Sequence, residues 1–157
     1  MLEGLQEWTS GLPEAAQWLG VIAISAIPFI ESYFGSVIGI AAGMNPIVAV
    51  PAAIIGNVVS MVVLVSSAHA VRSRTVTEPE QVSPRRQRLR RAFDRYGIIG
   101  VSLLGQTILP SQITATAMVS FGASKQKVIF WQIVSIILWG VAFGVLAALG
   151  LQAIGDS

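Results

Sequence analysis

The sequence predicts an all-α integral membrane protein. It is read as two inverted repeats, each a broken helical hairpin followed by a transmembrane helix, behind an N-terminal interfacial helix. Three observations carry this: long apolar segments, helix breakers at their midpoints, and a one-sided distribution of positive charge. Of 157 residues, 54% are hydrophobic and 11% charged, where a soluble domain carries roughly 25% charged residues. All ten Lys and Arg fall between Arg72 and Lys127, eight of them between Arg72 and Arg95. The net charge of +2 therefore describes one polybasic loop, and no nucleic-acid-binding surface is expected.

In chain order, the single membrane domain (1–157) divides into residues 1–18, 19–70, 71–96 and 97–153. Residues 1–18 place Leu2, Leu5, Trp8, Leu12 and Trp18 at helical spacing among Glu3, Gln6, Glu7 and Glu14. This is the pattern of an amphipathic helix lying at the membrane surface. With acidic residues where a signal peptide has its basic region, the first apolar segment is expected to be retained.

The first repeat, 19–70, opens with an apolar stretch from Leu19 to Gly43, broken by Ser25, Pro28, Glu31 and Ser32. Gly43-Met-Asn-Pro46 reads as a turn that starts a new helix at Pro46. Residues 47–70 are long enough to span a bilayer, which takes about 20 residues, though Pro51 interrupts them.

The stretch 71–96 is the basic loop, ending in an Arg-rich helix with Leu89, Phe93 and Tyr96 on one face. Arg85, Arg86, Arg88, Arg90, Arg91 and Arg95 are its candidate contacts with anionic lipid head groups. The second repeat, 97–153, has an apolar segment to Gly122 broken at Pro110, a turn, and a final span over 128–153.

Charge orients these segments. If 19–43 and 97–122 are re-entrant, the basic loop, Lys125 and Lys127 all face the cytoplasm, as the positive-inside rule asks. Each arm of about 12 residues then reaches roughly 18 Å, to the bilayer middle. Plain spans would put the two lysines on the opposite side. Ser32–Gly43 also aligns without gaps on Ser111–Gly122, with identity confined to the end residues. Hairpins entering from opposite faces are the plan of inverted-repeat transporters.

Within this frame Glu31 is the one charged residue between Glu14 and Arg72. A carboxylate at mid-membrane is costly, on the order of 3 kcal/mol, and marks function by default. No Lys or Arg lies in an apolar segment to neutralise it, so it is expected to hold a proton, sit in water, or pair with a visiting cation. A carboxylate snorkelling to the interface is the plainer alternative.

Thr107, Ser111 and Thr114, flanked by Gln106 and Gln112, form a short polar stripe around Pro110. Such groups line hydrophilic paths, and they also tie helices together. Asn57 and Gln132, one in each span, are candidate supporting groups. Gly35, Gly39 and Gly43, and Gly140 and Gly144, recur every fourth residue and read as close helix packing or dimer contacts. The chain has no cysteine and one histidine, His69, without acidic neighbours. Neither a metal site nor a nucleophilic triad is expected, nor any cofactor or enzymatic activity.

Ile27-Pro-Phe-Ile-Glu-Ser32, followed by Gly-rich sequence and Ala53-Ile-Ile-Gly-Asn57, resembles the small multidrug export family. Tyr96-Gly97, Leu109-Pro110 and the turn at Gly122 are similar too. More distantly the plan resembles the DedA superfamily of re-entrant hairpin membrane proteins. The resemblance implies functional positions at Pro28, Glu31, Asn57 and Pro110. The DedA family proper carries arginines in its hairpins; their absence from this chain argues against a lipid phosphate at mid-membrane.

Together these readings point to a proton-coupled secondary transporter in a bacterial cytoplasmic membrane. Its site would be built from Glu31, Pro28, Asn57, Thr107, Pro110, Ser111 and Gln112, the two hairpin tips meeting at mid-membrane. A homodimer in an anionic bilayer, exporting small cationic or amphipathic molecules, is the expected form. A non-transporting membrane scaffold and a translocase of a lipid phosphate such as polyprenyl phosphate are the alternatives.

Overall fold

Proline and glycine decide where the helices of this chain begin and end. The computed structural model describes residues 1–72, 84–106 and 108–155, without the side chains of 68–72, 85, 154 and 155. The central part of the basic loop, Thr107, Asp156 and the Arg85 side chain thus lie outside the described residues. Every regular element among the described residues is helical: α1 (Leu2–Ser10), α2 (Glu14–Ser25), α3 (Glu31–Ala41), α4 (Pro46–Arg72), α5 (Pro84–Gly105), α6 (Ser111–Ser120) and α7 (Lys125–Gly155).

The N-terminal region differs from the expected single helix over 1–18. It ends at Ser10, and Glu14 to Trp18 belong to α2, whose N-cap is Pro13. Proline lacks the N–H that would continue α1 and suits a helix start. Nor does α1 stand apart. Gln6 Nε2 donates to the Ala41 carbonyl at the end of α3, 3.1 Å away, and Leu5 packs on Ile24, Ile30 and Ile38.

α2 has 12 residues and α3 has 11; at 1.5 Å per residue neither reaches across a hydrocarbon core of about 30 Å. They pack on each other. α5 and α6 do the same, with α5 re-aimed at Gly97, whose φ of 64° breaks its helical path. Both second arms end alike. After α3, Met44 N–H bonds to the Gly39 carbonyl and Gly43 N–H to Ile40, around Gly43 at φ 91°. After α6, Ala123 N–H bonds to Met118 and Gly122 N–H to Val119, around Gly122 at φ 100°. These are two glycine-closed Schellman ends, each followed within three residues by a long helix.

Those long helices carry stretches of span length and composition. Pro46–Ser67 covers 22 residues and Lys125–Ala153 covers 29, both at mean hydropathy 2.4. Pro51 sits inside α4 without ending it. Only 33% and 22% of the most apolar windows are buried, unlike the core helix of a soluble protein. Ile55, Val59 and Val63 on α4, and Ile137, Val141 and Val145 on α7, are exposed, giving each helix an apolar outer surface suited to lipid.

The chain forms two units, Met1–Val59 with Ile136–Ser157, and Ser60–Ser135. The first has a core of Val21, Ile40, Met44, Ala49, Ala52 and Ala53. Its helices come close at glycines. A Cβ on Gly39 would meet Ala49 at 2.9 Å and Val21 at 3.0 Å, and one on Gly140 would meet Ile54 at 3.0 Å and Ser32 at 3.2 Å. Gly35 faces Ser25 and Ala53, Gly144 faces Val50 and Ser36, and Gly56 lies against the Ile22 carbonyl. In the second unit Leu89 is buried and the Phe93 ring meets that of Phe121 at a tilt of 45°, ring centroids 6.0 Å apart. The Arg-rich helix is thereby fastened to the end of α6, while Tyr96 stays exposed.

Candidate functional site

In the first unit the polar side chains gather at the break between α2 and α3. Residues 26–30 carry the chain across it, and the backbone is left-handed at Phe29, φ 75°, and again at Glu31, φ 53°. Neither is glycine, so each costs about 1–3 kcal/mol that the surroundings must overcome. Three bonds hold the turn: Ile27 N–H to Ile24, Ile30 N–H to Ile27, and Glu31 N–H to Ile27, at 3.1, 3.1 and 3.3 Å. The Ile30 side chain anchors it in the apolar cluster with Ile24 and Ile38. Pro28 is exposed on the outside of the bend.

Glu31 is 0% exposed and is the first residue of α3, where the unsatisfied N–H groups of a helix start favour negative charge. The unit holds four other carboxylates, Glu3, Glu7, Glu14 and Asp156, and no Lys or Arg. Buried hydroxyls surround the same stretch of chain. Ser32 Oγ donates to the Ile136 carbonyl of α7 at 2.9 Å, an approach open because Gly140 has no side chain. Ser36 Oγ donates to the Ser32 carbonyl at 2.6 Å. Ser25 Oγ, fully buried at the end of α2, finds no hydrogen-bond partner among the described residues. Asn57, also fully buried, belongs to this unit on α4.

The second unit holds uncharged polar groups. Pro110 is the buried N-cap of α6, extended at ψ 144°, with Ser111, Gln112 and Thr114 buried behind it. Gln112 Nε2 donates to Ser60 Oγ of α4 at 2.9 Å, and Thr116 Oγ1 donates to the Gln112 carbonyl at 2.7 Å. Gln106 Nε2, just past the end of α5, donates to Gln132 Oε1 of α7 at 3.1 Å. So Gln112 is brought to Ser60 and Gln106 to Gln132, while Thr107 lies outside the described residues.

Of the arginines, Arg86 donates to Ser120 Oγ at 3.2 Å, and Arg90 stands 5.1 Å over the Phe121 ring. Arg90 also pairs with Asp94 at 3.3 Å. Arg95 lies 5.2 Å over Tyr96, and Arg88, Arg91 and Arg95 are exposed. Among the described residues no three His, Asp or Glu converge as a metal site.

Sequence reading did not single out Ser36, Ser102 or Ser135, it met Gly56 only within the Ala53–Asn57 motif, and it took Ser25 only as an interruption of an apolar run. Serines in apolar helices look alike in sequence, and only the partners they meet distinguish them. No family model, curated protein or solved structure matches the chain.

Proposed function

We propose that the protein is a multi-pass protein of a bacterial cytoplasmic membrane and works as a proton-coupled secondary transporter of small cationic or amphipathic molecules. Glu31 is its proton-binding group. One observation carries the reading: a fully buried carboxylate at a strained helix break, in a unit with no Lys or Arg. A carboxyl group buried at membrane depth is suited to exchange a proton for a cationic guest. Backbone strain collects where a site must be held ready or must change state. The segments 27–32 and 53–57, and the resemblance to the small multidrug export family that they carry, fit this reading.

In the same proposal the α2–α3 and α5–α6 pairs are re-entrant, the halves are inverted, and the protein acts as a homodimer. Arg88, Arg91 and Arg95 face anionic lipid. Two spans with arms too short to cross alone, and ten cations confined between Arg72 and Lys127, support that arrangement.

The test uses purified protein in liposomes under an imposed pH gradient, with tetraphenylphosphonium and a set of quaternary amines as probes. Wild type should couple probe movement to proton flux, and Glu31→Gln should abolish the coupling while keeping helical content and monodispersity. Equal flux from Glu31→Gln, or no flux from wild type with full tolerance of Glu31→Leu, overturns the transporter reading. Topology is read separately in intact cells with a membrane-impermeant thiol reagent. A cysteine at position 157 should label and one at 124 should be protected. The reverse pattern would mean four plain spans.

A further inference from the structure

Among the described residues of the second unit, four buried side chains each keep one polar atom without a hydrogen-bond partner. Ser102 lies in the last turn of α5 and Gln106 just past its end, and Gln132 and Ser135 lie one turn apart on α7; all are 4% exposed or less. The two amides bond to each other at 3.1 Å. Ser102 Oγ, Gln106 Oε1, Gln132 Nε2 and Ser135 Oγ then have no partner among the described residues. Exchanging donor and acceptor between the two amides leaves the same kind of remainder, one carbonyl oxygen and one amide NH2 group. Either serine could have turned its hydroxyl back onto its own helix, as Ser36 and Thr116 do, and neither has.

Buried polar groups in folded proteins nearly always have partners, because a buried group without one forfeits its hydration. Four such groups within a turn of one bonded pair are more than chance leaves in so small a unit. Water is the usual partner when polar groups converge in an interior. The available chemistry defines the guest. It must accept from Gln132 Nε2 and donate to Gln106 Oε1, while the two hydroxyls take either role. It must also be uncharged, since no charged residue occurs from Tyr96 to Ser124 or from Val128 to Gly155. An ion would be stripped of water with no counter-charge to meet it.

We propose that Ser102, Gln106, Gln132 and Ser135 form an internal binding site for a small neutral group that both donates and accepts hydrogen bonds. Water satisfies this chemistry, as does the hydroxyl or primary amide of an uncharged solute. The site does not depend on Glu31 or on transport, and it makes the second unit wet and polar inside an apolar fold. Gln106 and Gln132 are its anchors; the serines complete it.

The experiment is proton-detected solid-state NMR of the full-length, isotope-labelled protein in lipid bilayers, reading exchange between water and the side-chain amides of Gln106 and Gln132. Wild type should show water cross-peaks at both amides. Ser102→Ala and Ser135→Ala, which keep the fold, should weaken them, and Gln106→Leu with Gln132→Met should remove them. Titration with acetamide and with ethanol separates the two sources. Saturable amide shifts with loss of the water peaks would identify a solute site, and unchanged water peaks would identify a water site. Absence of water peaks in wild type without any saturable solute shift overturns the proposal. So does a higher thermal midpoint for the double apolar variant than for wild type, the signature of a dry cluster.

Discussion

Compare the breaks of the two units. In the first, α2 stops at Ser25, two non-glycine residues are forced left-handed, and α3 begins on a buried carboxylate. In the second, α5 stops at Gly105, Pro110 sits buried in an ordinary extended conformation, and α6 begins on a serine. The second arms then end in the same glycine-closed turn. The first unit has five carboxylates and no Lys or Arg; the second has all ten cations and three carboxylates, Glu78, Glu80 and Asp94. One local plan thus carries two different sets of side chains, and among the described residues the strained backbone lies where the buried carboxyl group lies. A bend that only has to turn is made cheaply with proline. Among the described residues of the second break none is left-handed, so the strain at Phe29 and Glu31 belongs to the first break, in keeping with the role proposed for Glu31.

The largest structural effect should come from the close packing of the first unit. A Cβ on Gly56 would run into the backbone carbonyl of Ile22, which no rotamer change can move aside. Gly56→Ala is expected to cost about 1–3 kcal/mol, read as thermal unfolding in detergent. In the second unit a Cβ on Gly105 would meet side chains and no backbone, the Thr114 methyl at 3.1 Å and Val101 Cγ1 at 3.6 Å, so Gly105→Ala should cost less than about 1 kcal/mol. Equal costs would mean that glycine packing does not set the units apart.

A smaller effect sharpens the likeness between them. Gly43 and Gly122 have open space around them and φ of 91° and 100°, so only conformation resists a side chain. Gly43→Ala and Gly122→Ala should each cost about 1–2 kcal/mol, the penalty for an L-residue in the left-handed region. A marked inequality would break the correspondence between Ser32–Gly43 and Ser111–Gly122.

Much of this was legible because breakers act locally. The turn at Gly43 to Pro46, the boundary at Gly97 between the Arg-rich and apolar stretches, the break near Pro110 and the two long helices all follow from residues within one turn of the event. Glu31 stood out because charge is rare in apolar sequence. The rest depends on partners distant in the chain: Ser32 meets a carbonyl 104 residues away and Gln106 an amide 26 away. No periodicity encodes such pairs, so Ser102 and Ser135 were indistinguishable from any helical serine. The left-handed Phe29 and Glu31 were illegible for the opposite reason, since local preference argues against them. Pro13 and Pro51 show the limit of reading breakers alone. Pro13 ended the first helix where the apolar spacing ran on, and Pro51 was absorbed within the first turns of α4.

The smallest effect asks whether the hydroxyl at Ser32 is a tie or a passenger. Its bond to the Ile136 carbonyl is fully buried, so Ser32→Ala should cost about 1 kcal/mol. The contact exists because Gly140 admits it: a Cβ there would stand 3.2 Å from both Cβ and Oγ of Ser32. Gly140→Ala should therefore be less damaging in the Ser32→Ala background than alone, by a coupling of about 0.5 kcal/mol or more. Ile54 still crowds position 140 from the other side, so the rescue should be partial. Strict additivity in the double-mutant cycle would show that α3 and α7 are held by their apolar contacts. In that case the polar surroundings of Glu31 would be free to serve the site without also holding the fold.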